Sequence, residues 1–240
     1  MKLLEKLIRH VPEDTVEEVI LGVHSVLVKS VNNAGIASTI KYCSPSDAVR
    51  KAGMLETLNL KQLATYALSD NLLEASIGMA AINCSVNIDN GEGMVLNAKD
   101  IILEKGKNKT LGIIGHFPFL EKQRDNYKKC YIFEKSPHEG DLAEADIPTY
   151  LPTVDVAAIT ATAITNHTFE NILKSLPEKS FNVILGPSTP LSTLLYKYGM
   201  NVLSGSIVTE YDLLKRHVLQ AAPTRNLPGL KMVSMIKEEK

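Results

Sequence analysis

Two apolar runs in this chain lead directly into short polar turns, and those turns hold the residue types best suited to grip a ligand. Val154-Asp155-Val156-Ala157-Ala158-Ile159 runs into Thr160-Ala161-Thr162-Ala163-Ile164-Thr165-Asn166-His167-Thr168, which gathers four hydroxyls, one amide and one imidazole in nine positions. Asn182-Val183-Ile184-Leu185 runs into Gly186-Pro187-Ser188-Thr189-Pro190. In an open parallel α/β sheet, ligands bind beyond the carboxyl ends of the strands, where small residues and helix N-termini expose backbone donors. Thr160, Thr162, Asn166, His167, Thr168, Gly186, Pro187, Ser188 and Thr189 are therefore candidate ligand contacts, expected to line one shared pocket. Each turn also has a structural reading. Asn166 or Thr168 can cap the helix that follows, and Thr189 can be an N-cap with Pro190 at the first helical position. Ser188 lacks the G-x-S-x-G frame of a nucleophile elbow.

Gly112-Ile113-Ile114-Gly115-His116-Phe117-Pro118-Phe119 reads as a strand ending in glycine and turning into a Pro-initiated helix. Gly115 would let backbone approach a nucleotide-like ligand, although the full G-x-G-x-x-G pattern is missing. Glu134 ends the next strand, 19 residues later, where an acid either holds ribose hydroxyls or is a solvated strand end. None of the six histidines forms an HxH or HExxH pair. His116 and His167 nevertheless lie at the carboxyl ends of two expected strands. With Glu134 and Asp141, which follows Gly140 in a turn, they make a set able to bind a metal or to act as acid and base. His138 and Glu139 read as exposed loop residues, and His24 as a structural residue within a strand. Asn83 ends a helix of small residues facing the second half of the chain and is placed to reach a cleft between two domains. Cys84 beside it reads as a buried, inert thiol.

The elements that must position these groups alternate in a readable way. Met1 to His10 form an amphipathic helix rather than a signal sequence. The run 19–28, followed after Asn32-Asn33 by 35–40, predicts a hairpin. Asn59 with Gln62 predicts a capping box, and a further helix covers Leu72 to Ile82. Ile88-Asp89-Asn90-Gly91-Glu92-Gly93 is turn-rich and divides a first domain, 1–92, from a second, 93–240. The second opens with a helix started by Asn97 or Asp100 and ending at Gly106. Strands are then predicted at 111–115, 130–134, 154–160, 181–186, 201–203 and 231–236, with helices at 169–176, 191–198 and 211–219. A small α+β domain followed by a Rossmann-like domain with a mostly parallel sheet is the fold class this order implies.

Bulk properties exclude several classes. The 26 basic and 27 acidic side chains nearly cancel, and Trp is absent, which argues against nucleic acid as a partner. No apolar run is long enough to span a bilayer, so no membrane is expected. The cysteines Cys43, Cys84 and Cys130 are odd in number and without a CxxC pair, so no disulfide framework or zinc ribbon is indicated. A reduced, cytoplasmic protein with a small-molecule ligand is the expectation, and a homodimer is plausible by size alone.

Four segments occur here in an order that resembles a known family: Ala75-Ser76-Ile77-Gly78-Met79-Ala80-Ala81-Ile82-Asn83, Gly115-His116-Phe117-Pro118-Phe119, the Thr160 to Thr168 turn, and Gly186-Pro187-Ser188-Thr189-Pro190-Leu191. Together they resemble the domain-of-unknown-function family labelled putative heavy-metal chelation, over nearly the whole chain. That resemblance implies an N-terminal domain like that of enolase, followed by a Rossmann-like domain partly similar to methyltransferases, with the site where the two meet. It also implies making or breaking flavin-, pterin- or siderophore-like molecules, or handling chelated heavy metal, so the expected cofactor is a heavy metal or a nucleotide-like small molecule. At Thr160-Ala161-Thr162 the chain departs from the family, in which a Gly-Ser or similar pair often follows the first threonine.

Overall fold

The amphipathic start of the chain forms helix α1 (Lys2–Arg9), which buries Leu3, Leu4, Leu7 and Ile8. The computed structural model describes residues 2–40, 48–86, 98–224 and 227–238. The expected hairpin is a three-stranded antiparallel meander of β1 (Val16–Leu21), β2 (Ser25–Ser30) and β3 (Ala34–Ser38). The run read as one strand is broken at Gly22-Val23-His24, so His24 lies in a turn rather than within a strand. Gly22 makes that turn possible, because a Cβ there would stand 2.7 Å from Val218 and 2.8 Å from the Ser25 carbonyl.

Helix α2 (Leu60–Ala64) opens on the expected capping box. The Gln62 N–H donates to Asn59 Oδ1 at 2.8 Å, and the Asn59 N–H donates to Gln62 Oε1 at 3.0 Å. The helix tightens into a 3-10 turn over Thr65–Leu68. Helix α3 (Leu72–Cys84) is capped by Asn71 and buried on nearly every side, as its uniformly small and apolar sequence requires. Two glycines bring other backbone against it. A Cβ on Gly78 would lie 1.9 Å from the Ala67 amide nitrogen, and one on Gly35 would lie 2.2 Å from that of Cys84.

The second half contributes α4 (Ala98–Gly106), β4 (Thr110–Ile114), α5 (Pro118–Glu121), β5 (Lys129–Glu134), β6 (Leu142–Ala143) and α6 (Ile147–Tyr150). It continues with β7 (Val156–Thr160), α7 (Thr162–Thr165), α8 (Phe169–Ser175), β8 (Phe181–Leu185), β9 (Val202–Val208), α9 (Tyr211–Leu219) and β10 (Leu230–Ile236). The strands form a seven-stranded sheet, β10-β9-β8-β7-β4-β5-β6, parallel throughout except where β10 runs antiparallel along β9. The strand expected at 201–203 extends to Val208 because β10 pairs with its whole length. The helix expected from Thr189 is instead a 3-10 turn, Thr193–Tyr198, capped by Ser192. The division at residue 92, the Asn97 helix start and Cys43 lie outside the described residues.

Side-chain alternation along these strands builds two cores. Ile114, Phe133, Ala157, Ile159, Ile184 and Leu203 face the first half of the chain and join one apolar cluster with α1, α2 and α3. Leu111, Ile113, Ile132, Val156, Ala158 and Val183 face the opposite side and pack with Ile102 of α4 and Leu120 of α5. The small sheet is covered on both faces as well. Val26, Val28 and Ala37 join the shared cluster, while Ile20, Leu27 and Ile36 pack against Leu214 and Val218 of α9.

An ion pair between a buried carboxylate and an exposed guanidinium closes the first lobe. Glu74 is 2 % exposed and accepts from the Arg50 backbone N–H at 2.6 Å and from Arg50 Nη2 at 2.8 Å. Burial pushes the Glu74 carboxyl up, but hydrogen bonds from Arg50 and Ser69 and the Arg50 charge outweigh it and leave the pKa below the ordinary value. This carboxylate therefore contributes stability above its unfolded pKa, which is lost as pH falls through the lower folded value. Chemical denaturation should show Arg50→Ala less stable than the native chain by about 1–3 kcal/mol at neutral pH, and the gap should close as the solution is acidified. Gly78→Ala should lose about 3 kcal/mol, because backbone must move to admit the methyl group; an unchanged melting temperature would contradict the close approach to Ala67.

Candidate functional site

After β4 the chain passes to β5 and β6 on one side of the sheet, and it then returns to β7 on the other side. The carboxyl ends of β4 and β7 therefore flank a point where strand order reverses, the place at which open α/β sheets leave a crevice. Gly115 makes the crevice possible. It follows β4 with φ +95°, and a Cβ there would stand 3.0 Å from Thr160 at the end of β7. A cavity of about 260 Å³ opens beside these two residues. Its polar side includes His116, Glu134, Lys135, Glu144, Thr160, Thr162, Asn166 and Thr168, and its apolar walls include Ile40, Leu72, Phe133 and Ile172. Ile40 and Leu72 come from the first half of the chain, so the cavity lies where the two halves meet.

The hydroxyl corner is internally ordered. Thr160 Oγ1 and Thr162 Oγ1 are 2.9 Å apart in a hydrogen bond. Asn166 Oδ1 accepts the Thr168 N–H at 3.2 Å and the Thr168 hydroxyl at 2.8 Å. The expected cap is not formed: Thr168 is the N-cap of α8 but its side chain accepts no helix N–H, because its hydroxyl is turned back to Asn166. His167 turns elsewhere. It holds φ +67° just after α7, the Thr168 N–H reaches back to the Ala163 carbonyl, and the whole is a Schellman-type helix end without glycine. Its Nε2 meets the Ala67 carbonyl at 2.9 Å, tying the two halves together. His116 and His167 therefore do not converge, because the left-handed turn aims His167 at the first lobe.

His116 is instead held among carboxylates. Its Nδ1 is 2.9 Å from Glu121 Oε1 and its Nε2 is 3.0 Å from Asp141 Oδ2. Only an imidazolium has an N–H for both. Burial works against the charge, but Glu121, Asp141 and Glu134 together lift the His116 pKa above its ordinary value. Asp141 is presented by a turn at Gly140 (φ +88°) and also accepts the His138 backbone N–H at 2.8 Å. The His138 ring stands 5.0 Å from that of His116. One donor atom each from His116, His138 and Asp141 lie within 4.8 Å of one another. His138, read from sequence as a solvated loop residue, and Glu121 were not singled out there. The available signals were the His138–Asp141 spacing across Gly140 and an acid one helical turn beyond Pro118.

The second turn does not share this cavity. Ser188 is 1 % exposed, and its Oγ accepts the Ser38 N–H at 2.8 Å, so it fastens the bend to β3. Gly186 and Pro187 face a separate cavity of about 930 Å³ on the other side of His116, lined also by Phe119, Lys122 and Met232. The Gly186 N–H is spent on the Ser204 carbonyl and that of Thr189 on the Gly186 carbonyl. Thr189 and Asn83 meet at a third, water-sized space of about 20 Å³. There the Asn83 Nδ2 donates to the Ile36 carbonyl at 2.8 Å. The expectation of one pocket shared by the Asn166 and Ser188 turns is thus corrected: close packing of β3 against the bend consumes the Ser188 hydroxyl. The Pro-initiated helix α5 has four residues, too few to gather a dipole at its N-terminus. Ser188→Ala should cost about 1–2 kcal/mol of stability by stranding the Ser38 N–H, while leaving ligand binding at the Thr160 cavity unchanged; a loss of binding with intact stability would reinstate Ser188 as a contact.

Among the described residues, no helix is long and apolar enough to cross a membrane. Two solved structures share the fold over nearly their full length. A protein of unknown function from Desulfitobacterium hafniense is 28% identical, with a TM-score of 0.82 covering 98% of this chain and 97% of that one. One from Pyrococcus horikoshii is 20% identical, with a TM-score of 0.83 and 98% of each chain covered. An uncharacterized protein of Methanocaldococcus jannaschii is 26% identical over 161 residues; the match takes in 64% of this chain and 62% of that relative, less than two thirds of its length. Residues 4–86 match the DUF4213 model and residues 97–236 the DUF364 model, both described as putative heavy-metal chelation. On these matches, spanning both halves, the chain belongs to the DUF364 family of putative heavy-metal chelation.

Proposed function

We propose that the protein binds, and chemically processes, a small heterocyclic or chelating molecule of pterin-, flavin- or siderophore-like type in the cleft between the two halves. The observation that carries this reading is the cavity at the β4–β7 reversal, where hydroxyl, amide and charged groups share the lining with apolar walls. An apolar slot with a few convergent polar groups suits a planar ring with hydrogen-bonding edges. Its volume of about 260 Å³ favours a single ring system over an intact dinucleotide. The family description, heavy-metal chelation, accords with a ligand able to chelate. His116, charged between carboxylates, is the group able to pass a proton to a ring atom, with Glu134 facing the same space.

A second reading makes the protein a non-catalytic carrier or sensor of a metal or metal chelate. In its favour, His116 lines this cavity and offers a donor atom within 4.8 Å of donor atoms of His138 and Asp141. Turnover of the bound molecule separates the two readings, and a ligand recovered unchanged favours the carrier.

A thermal-shift panel of pterins, flavins, S-adenosylmethionine and siderophore precursors tests the common element. A true ligand at a hundred times its Kd adds about 2.7 kcal/mol, which for a chain of this size raises Tm by roughly 5–10 °C. The shift should vanish in Thr162→Val, a near-isosteric change, while the unliganded melting temperature stays near native. A panel that leaves Tm unmoved throughout defeats the proposal.

A further inference from the structure

We propose that His116, His138 and Asp141 form a binding site for a borderline divalent cation, Zn²⁺, Ni²⁺ or Co²⁺, at the rim of the cleft, with Glu121 as a positioning residue for His116. The donor set is two imidazole nitrogens and one carboxylate oxygen. Imidazole selects against Mg²⁺ and Ca²⁺, which prefer oxygen throughout. Thiophilic ions are not served, because neither described cysteine joins the cluster. Cys84 is buried and bonded to Ser30 and the Asn33 carbonyl, and burial pushes the Cys130 thiol up to about 11.

The surroundings are those of a metal-binding histidine. Such a residue binds through one ring nitrogen while the other is held by a carboxylate, which fixes the ring and raises its basicity. Glu121 Oε1 occupies that position at 2.9 Å from His116 Nδ1, directing Nε2 at Asp141. In the ion-free state a proton lies between Nε2 and Asp141 Oδ2. Binding replaces that proton with the cation, and the proton leaves to solvent. Arg124 approaches the other Asp141 oxygen, Oδ1, at 3.9 Å, while Oδ2 also accepts the His138 backbone N–H at 2.8 Å, so the cation would share Oδ2 through its second lone pair.

The distances fit with a small adjustment. Donors bound at about 2.1 Å around a tetrahedral ion lie roughly 3.4 Å apart. Here His116 Nε2 and Asp141 Oδ2 are 3.0 Å apart, and all three donor atoms fall within 4.8 Å. His138 is exposed on the loop before Gly140, so it is the donor free to close the remaining ångström or so. Three protein donors leave at least one position open, and His116 lines the 260 Å³ cavity. The site rests on the cleft reading and deepens it by naming the ion that a chelating ligand would share; with the ion bound, His116 Nε2 has no proton to pass, and Glu134 is left as the acid–base group at the cavity.

The test is titration of tag-free, metal-stripped full chain with Zn²⁺ by calorimetry and with Co²⁺ by visible absorption, in the absence of any organic ligand. One ion per chain is expected, with Mg²⁺ not competing. His138→Ala removes an exposed side chain and should keep the native melting temperature while weakening Zn²⁺ binding at least tenfold. Glu121→Gln keeps all three donors and should weaken binding about 10–100-fold. Failure of the native chain to take up Zn²⁺ or Co²⁺ stoichiometrically would overturn the site, as would equal affinity in His138→Ala. Equal affinity in Glu121→Gln would remove the positioning role. Ion uptake with no pterin-sized ligand bound would retain this site and remove the organic-ligand reading; the converse would remove the site alone.

Discussion

Both sheets of this protein are closed by one shared hydrophobic core, and its centre is the all-round burial of helix α3. A helix apolar on every side has to be enclosed on every side. The small sheet, the 3-10 turn after α2, and the large sheet's inner face with α7 enclose it. Enclosure at that density needs backbone at van der Waals range, which Gly35 and Gly78 alone permit at their positions. The first half is therefore not a detachable cap. Ser188 holding the Ser38 N–H and His167 meeting the Ala67 carbonyl are polar fasteners across the same seam.

This constraint decides where open space is left. Over most of the seam the two halves are filled with hydrocarbon, and the ligand-sized opening between them lies where β4 and β7 part, beside Gly115, while the larger cavity of about 930 Å³ is lined by the second half. Polar groups within the packed seam become structural: Ser188, Asn83 and His167 each meet backbone. Those at the reversal point keep a face toward the cavity. The same residue types thus take different roles according to whether the strand end beneath them faces packed core or an opening.

Charge follows the same logic. Glu74 is buried and acceptable only because Arg50 supplies several donors. His116 is the mirror case, a cation kept by surrounding carboxylates near the surface. The first arrangement serves stability, since its partners are committed to each other. The second leaves an imidazole and a carboxylate exchangeable at a cavity edge, as cation binding needs.

The sequence by itself determined the local elements. Helix α1, the Asn59–Gln62 box, α3, α9 and the five parallel strands from β4 to β9 that carry strong apolar runs could be read directly, because periodicity, capping and β-branched content act over a few residues. The short β6, α6 and α7 could not, having too few residues for any period to register. At the site, Gly115, His116, Glu134, Thr160, Thr162, Asn166 and Thr168 were legible as polar groups at strand ends. Only tertiary structure decided that His167, Ser188, Thr189 and Asn83 would be drawn into the seam, and that His138 and Glu121 would gather around His116. Those outcomes depend on which side of the sheet each crossover takes and on the left-handed turn after α7. They are set by packing between residues far apart in the chain, which no local pattern encodes.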